Sequence, residues 1–345
     1  MTSNIRKHGT KIVMTALAGM TLLASPIQAG HRNGPGACST TAYLQLRACY
    51  AQLEDDFFTN QAACVNEPEE RRECSREAHG EKRAAARECR DQLQARREFC
   101  WEIGEAPYAP DMDPDLFQDP RNPTVMNPYF PLDVGNRWVF EDDGEQIEIE
   151  ILDATKRIAG IDCIVYRDIV TSEGLLVEDT DDWFGLRGDG EIVYCGEEVK
   201  DFEYFEGDDP EEPELVAIDG RFKAGVDLAK SGTAFPADPV VGESYRQEWD
   251  PGNAEDVGKV LSTDYSYGSD PELDEFVPKE LAELMCSAGD CVVIRDGSTL
   301  EPSAFERKYY ANGLGKFLEV KPDEGEFVPL VECNIDARCD ALPIE

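Results

Sequence analysis

Any chemistry in this chain has to be built from carboxylates. It carries 72 Asp and Glu against 33 Lys and Arg, with three histidines. Those are His8, His31 and His79, so residues 80–345 hold no histidine. Their absence removes Ser-His-Asp and Cys-His nucleophilic sites, and histidine-rich metal sites, from most of the chain. No Gly-x-Ser-x-Gly, P-loop or dinucleotide fingerprint is present. Two kinds of carboxylate chemistry remain. A glycan hydrolase needs only two acids at a suitable separation, but the acids are so many that no catalytic pair can be chosen. Calcium needs several oxygen ligands. The densest acidic run, Glu178 to Asp189, offers Asp179, Asp181, Asp182 and Asp189 as candidate ligands beside Trp183 and Phe184. Calcium is accordingly the one candidate cofactor. Asp111 to Asp115 is not a hand-type calcium loop, because Leu116 and Asn122 stand where Gly and Glu are required. A second candidate lies in Tyr245-Arg-Gln-Glu-Trp249, where strand alternation places Arg246 and Glu248 on one face, as a surface pair or as a ligand-binding pair lining a cavity.

Charge narrows the partners. Residues 30–104 hold 11 basic and 13 acidic side chains, whereas residues 105–345 hold 19 basic and 59 acidic. Such a field repels nucleic acid phosphates and anionic membrane surfaces, and favours cations and basic proteins.

The first 29 residues read as an export signal. Arg6, Lys7 and Lys11 precede the apolar run Ile12 to Ala24, and Ala29 offers a small residue before a cut at Gly30. No later stretch reaches the ~18 apolar residues of a membrane span. The expected address is the periplasm or the extracellular space. All 12 cysteines lie beyond the signal, an even number that reads as six disulfides in an exported chain.

Six of these cysteines specify the first element. Cys38, Cys49, Cys64, Cys74, Cys89 and Cys100 are spaced 11, 15, 10, 15 and 11 apart, a palindrome centred near Pro68. Eleven residues are about three helical turns, so cysteines at that spacing share a helix face. Both arms lack proline and are rich in good helix formers. Residues 30–104 are therefore expected to form an antiparallel helical hairpin with bridges Cys38–Cys100, Cys49–Cys89 and Cys64–Cys74. Gly80 marks a possible kink. The hairpin is similar to the twin-cysteine helical hairpins of small mitochondrial intermembrane-space proteins, but has three bridges where those have two. It reads as a spacer or docking arm that would meet another envelope protein.

Residues 105–128, with six prolines from Pro107 to Pro128, read as an extended linker. From 129 to 345 the pattern changes to short runs of period-two alternation bounded by Gly, Asp and Pro, with one helical segment at Pro278 to Cys286. This part is also duplicated. Val134-Gly-Asn-Arg-Trp138 matches Val241-Gly-Glu-Ser-Tyr245, and Cys163 to Asp168 matches Cys291 to Asp296. Asp182-Trp-Phe184 matches Lys308-Tyr-Tyr310, in the same order. The fold class is thus mainly β: a disulfide-stapled helical hairpin followed by an internally duplicated antiparallel β-sandwich or flattened barrel. Six further cysteines lie in this part. Cys286 and Cys291 fit a bridge across a tight turn, and Cys333 and Cys339 close the tail likewise. Cys163 and Cys195 then remain as a pair on neighbouring strands.

The stretches Phe130-Pro-Leu-Asp-Val-Gly-Asn-Arg-Trp138, Glu178-Asp-Thr-Asp-Asp-Trp183-Phe, Tyr245-Arg-Gln-Glu-Trp249 and Lys308-Tyr-Tyr-Ala-Asn-Gly-Leu-Gly315 resemble signatures of an uncharacterised group of secreted bacterial β proteins. The likeness spans residues 129–332 and implies a β fold and export, without an activity. The function expected from the whole sequence is a non-enzymatic envelope protein, a scaffold or binding module with an acidic β domain. A carboxylate-based hydrolase acting on glycans and a calcium-binding protein are the alternatives.

Overall fold

A computed structural model describes residues 36–344. The expected signal segment and His31 lie outside the described residues. Helix α1 (Ala37–Val65) and helix α2 (Arg71–Ile103) form the hairpin. The chain turns between them around Pro68, and α2 runs unbroken through Gly80. All three nested bridges are present: Cys38–Cys100, Cys49–Cys89 and Cys64–Cys74, with Cα separations of 5.7, 5.8 and 5.5 Å.

The three expected bridges of the β part are present as well. Cys163 is joined to Cys195, Cys286 to Cys291 and Cys333 to Cys339, with Cα separations of 6.7, 5.4 and 5.2 Å. Contrary to expectation, the first bridge does not join neighbouring strands but spans the strand Leu175–Leu186 that lies between them. No described cysteine is free. Cys339 opens a short 3-10 turn, Cys339–Ala341, and packs with Cys333 against the main apolar cluster, so the last bridge ties the tail to the barrel wall.

The strands follow the hairpin in chain order. β1 (Arg137–Asp142), β2 (Glu145–Ile158), β3 (Ile161–Ser172), β4 (Leu175–Leu186) and β5 (Ile192–Glu198) form an antiparallel meander. Asp143-Gly144, Ala159-Gly160 and Glu173-Gly174 join its first four strands, both residues of each turn having positive φ, the geometry that matches strand twist. A short exposed hairpin, β6 (Asp201–Glu203) and β7 (Glu214–Ala217), precedes β8 (Lys230–Phe235), which pairs with β5. Then come β9 (Ser244–Arg246), β10 (Glu248–Trp249), β11 (Asp256–Tyr265), helix α3 (Lys279–Met285) and β12 (Cys291–Ser298). The last strands are β13 (Phe305–Ala311), β14 (Gly315–Lys321) and β15 (Glu326–Cys333).

The ring of strands runs β10-β8-β5-β4-β3-β2-β1-β15-β14-β13-β12-β11-β9. Its two ends, β9 and β10, are consecutive in the chain. The chain leaves β11 after Arg246 and joins β8 at Glu248, while the Gln247 amide still donates to Asp256 O at 2.9 Å. The result is a nearly closed barrel. Gly232 makes this crossing possible: a Cβ there would lie 2.1 Å from Gln247 O.

Duplication is visible in the pairing. The last strand of each half docks on the first strand of the other: β15 on β1, and β8 on β10. Gly135 N donates to Ile151 O at 2.8 Å, and Ile151 N to Asn136 O at 3.0 Å; Gly242, Val260 and Glu243 repeat both bonds at the same lengths. Ile164 faces Phe184 as Val292 faces Tyr310, and Tyr166 faces Asp182 as Ile294 faces Lys308. Both halves then carry a β-bulge at the same place, between Trp183 and Phe184 and between Tyr309 and Tyr310.

Alternation along the strands sends one set of side chains inward and another outward. Outside the first half, Cys163, Val165, Trp183 and Cys195 pack under Met112 and Phe117 of the 105–128 segment. That segment is extended, as expected, but it is not a free spacer. Gln118 N donates to Leu186 O at 2.9 Å, Gly188 N to Leu116 O at 2.8 Å, and Tyr108 Oη to Ser231 O at 2.8 Å. Outside the second half, α3 joins the main apolar cluster with Val293, Tyr309 and Phe317.

The hairpin is docked on the barrel, and the two belong to one compact unit. Arg96 of α2 forks onto Glu255, Nε to Oε2 at 2.6 Å and Nη2 to Oε1 at 3.0 Å, with both side chains buried. Gly252 N and the Thr299 hydroxyl donate to the same carboxylate. Gln92 donates to Leu300 O at 2.9 Å, and Lys259 pairs with Glu102 at 2.9 Å. No described helix is long and apolar enough to cross a membrane.

Candidate functional site

The inward faces of both halves enclose a cavity of about 590 Å³, within the range of small-molecule sites. Aromatic rings form part of its wall: Phe130, Trp138, Tyr166, Phe184, Tyr194 and Tyr310. Several touch one another, as in the edge-on contacts of Phe130 and Tyr166 with Phe184. Eight carboxylates line it (Asp168, Asp182, Glu197, Asp219, Glu248, Asp256, Asp296 and Glu301), against two cations, Lys308 and Lys316. The β strands place most of them by register. Asp168 is on β3, Asp182 on β4, Glu197 on β5, Asp296 on β12, Lys308 on β13 and Lys316 on β14.

Both cations come from the second half. There, Lys308 Nζ lies 2.8 Å from Asp296 and 3.6 Å from Glu306, and Lys316 Nζ lies 3.2 Å from Glu319. Burial by itself would raise Glu319, yet Lys316 and then Lys308 hold it down to about 2. Burial acts on Lys308 in the opposite sense, but Asp296, Glu306 and Glu319 hold it well above the usual lysine range.

The first half has no such cations. Burial pushes Asp168 up to about 7, with Lys316 across the cavity opposing and Glu178 adding to the rise. Asp182 is also pushed to about 7 by burial, opposed by its hydrogen bond to Tyr194 and reinforced by Asp168. Glu197 is raised well above its ordinary value by burial and by Asp182. Burial, Asp256 and Glu197 do the same to Glu248, which the second half contributes where the chain crosses onto β8. Among the described residues, none of these four carboxylates belongs to an ion pair, and Asp168 Oδ1 is buried without a hydrogen-bond partner.

Hydrogen-bond stoichiometry supports the same state. The Tyr194 hydroxyl lies within bonding distance of Asp182 Oδ1 and, at 3.0 Å, of Glu197 Oε2. A phenol has one proton to donate. A protonated carboxyl on Asp182 or Glu197 would supply the donor for the second contact.

The sequence candidates separate on this frame. Asp182 faces the cavity. Asp179 lies on the other face of β4, where it takes a two-pronged contact from Arg167 at 3.1 and 3.2 Å. Asp181 shares that outward parity, paired in register with Arg167 and Glu198. Asp189 sits in the turn after β4 and accepts from Glu191 N at 3.1 Å. Strand alternation thus does not bring the four candidate calcium ligands together. Among the described residues no group of three or more His, Cys, Asp or Glu is arranged to hold a metal ion.

Arg246 and Glu248 also part company. Regular alternation would put them on one face, but the crossing at Gln247 breaks the phase, so Gln247 and Glu248 both line the cavity. Arg246 is half-buried under the hairpin, its guanidinium 4.9 Å from the Phe99 ring and 5.5 Å from Tyr108, with Nη2 3.5 Å from Cys38 Sγ. It fastens the hairpin and does not reach the cavity.

Sequence reading misses Asp168, Glu197, Lys308 and Lys316 as site residues. The available signal was the repeat: setting Asp182-Trp-Phe184 against Lys308-Tyr-Tyr310 already shows an acid exchanged for a base at one position. No family model matches this chain, and no curated protein or solved structure is similar to it.

Proposed function

We propose that this is an exported binding protein whose barrel interior takes a small organic cation. One observation carries the reading: among the described residues the cavity presents Asp168, Asp182 and Glu197 of the first half, with Glu248 and Asp256 of the second, outside any ion pair, while Lys308 and Lys316 pair only with Asp296, Glu306 and Glu319. Buried carboxylates left without a partner are costly. A bound cation would remove that cost, and the aromatic wall suits the hydrocarbon or face-on charge of an organic ligand. Six disulfides fit an oxidising compartment, the periplasm or the exterior of the cell. In this reading the hairpin is a fixed buttress of the barrel, and its exposed Tyr43, Leu44 and Phe58 are where an envelope partner would meet it.

Thermal unfolding of the oxidised mature protein with organic cations and their neutral isosteres tests the proposal. Cations should raise Tm in a saturable way and isosteres should not. No shift with any cation at millimolar concentration would refute it.

Hydrolysis is the second reading, because Asp182 and Glu197 both contact the Tyr194 hydroxyl inside a cavity of suitable size, and burial raises both carboxyls. An acid held protonated near neutral pH is what general-acid cleavage requires. Release of the aryl group from aryl glycosides by the wild type, lost in Asp182→Asn, would favour it over simple binding.

A further inference from the structure

We infer that the ligand carries a primary alkylammonium group, and that this group sits in the first half of the barrel where the Lys308 ammonium sits in the second, against Asp168. The inference rests on the cation-binding reading and adds the chemical class and the place.

The register of the two halves supplies the argument. Tyr166 pairs with Asp182 as Ile294 pairs with Lys308, so Asp182 and Lys308 are equivalent. Two residues further along β3 and β12, Asp168 and Asp296 are equivalent. Across the next ladder, Asp182 pairs with Glu197 and Phe184 with Tyr194, as Lys308 pairs with Glu319 and Tyr310 with Lys316. The acceptors are therefore kept in both halves: Asp168 for Asp296, and Glu197 for Glu319. The donors are not kept, since Asp182 replaces Lys308 and Tyr194 replaces Lys316.

In the second half both oxygens of Asp296 are used. Oδ2 takes the Lys308 ammonium at 2.8 Å and Oδ1 takes the Gln247 amide at 3.3 Å. In the first half, Asp168 Oδ1 is buried and accepts no hydrogen bond, although the residue borders the cavity. A buried acceptor left empty is costly, and of the two groups that fill its counterpart Asp296 the charged one is the Lys308 ammonium. That group is a compact three-donor ammonium on an alkyl stem. A guanidinium asks for planar, two-pronged acceptors, and a quaternary ammonium donates no hydrogen bond.

The test uses the full mature protein with its disulfides intact. Butylammonium, butylguanidinium, tetramethylammonium, calcium and neutral butanol are titrated by calorimetry. Butylammonium should bind about tenfold or more tighter than the other cations. If butylguanidinium or tetramethylammonium binds as well or better, the inference falls while the cation-binding reading stands. If no cation binds, both fall. Asp182→Lys should place an internal ammonium at the Lys308-equivalent position, raise Tm at pH 8 and abolish butylammonium binding; undiminished binding would overturn the inference. Should that variant not fold, Asp168→Asn decides the matter, with loss of butylammonium binding expected and unchanged affinity refuting it.

Discussion

Glu197 and Glu319 occupy the same position in the two halves of the barrel, and their carboxyls are pushed in opposite directions from the ordinary value. Each stands in register beside its half's central residue on the neighbouring strand, Asp182 for Glu197 and Lys308 for Glu319. Burial and Asp182 push Glu197 well above the usual carboxylate range, whereas the two lysines hold Glu319 down to about 2 against the same burial. The repeat has been turned into an electrostatic gradient across one cavity.

This gradient sets the pH dependence of stability. Asp168 and Asp182 titrate near 7 in the folded protein, against 3.8 ordinarily. Between about pH 4 and pH 7 the folded chain binds more protons than the unfolded one, so stability falls as pH rises through that window. Glu319, with its lowered value, contributes stability that is lost as pH falls below about 4. Chemical denaturation should show a maximum near about pH 4–5 and a loss on the order of a few kcal/mol by pH 8. Asp182→Asn should flatten the alkaline limb.

Ligand binding should be linked to the same protons. A cation favours ionised Asp168 and Asp182, so at pH 6 it must displace protons that are mostly gone at pH 8. Affinity for an organic cation should therefore fall as pH drops from 8 to 6. Calorimetry in buffers of different ionisation enthalpy should record proton release at pH 6.5. Proton uptake on binding would contradict the assignment.

The buried Arg96–Glu255 pair gives a separate prediction for the hairpin. Arg96→Met leaves Glu255 buried with the Gly252 and Thr299 donors but no cation, and should cost about 3–5 kcal/mol. Removing both charges in Arg96→Met with Glu255→Gln should recover much of that loss. A double-mutant cycle by urea denaturation measures the coupling.

Two glycines should respond in opposite directions. Gly80 lies in α2 with open space where a Cβ would stand, so Gly80→Ala should stabilise by about 1 kcal/mol. Gly232→Ala drives a methyl group against Gln247 O at the barrel crossing and should destabilise by about 2 kcal/mol or more. Thermal melts of the two variants distinguish a helix-propensity effect from a backbone collision.

By itself, the sequence determined whatever depends on short-range geometry. The hairpin and its three bridges were legible because helical periodicity places Cys38, Cys49 and Cys64 on one face, and the centre at Pro68 sets the partners. Cys286–Cys291 and Cys333–Cys339 were legible because each spans only a short turn of chain. The duplication and the antiparallel strands were legible for a similar reason, since alternation and turn residues are local. Whether the two halves would form a sandwich or a barrel was left open; the exchange of last strands between halves and the crossing at Gln247 decided it. The tertiary structure alone decided the site. Asp168, Asp182 and Glu197 reach one cavity through ladder register, Lys308 and Lys316 enter from more than a hundred residues away, and one break in alternation at Gln247 separates Arg246 from Glu248. Neighbouring charge then decides which way a buried carboxyl shifts, because the equivalent glutamate is held down beside lysines and pushed up beside another acid.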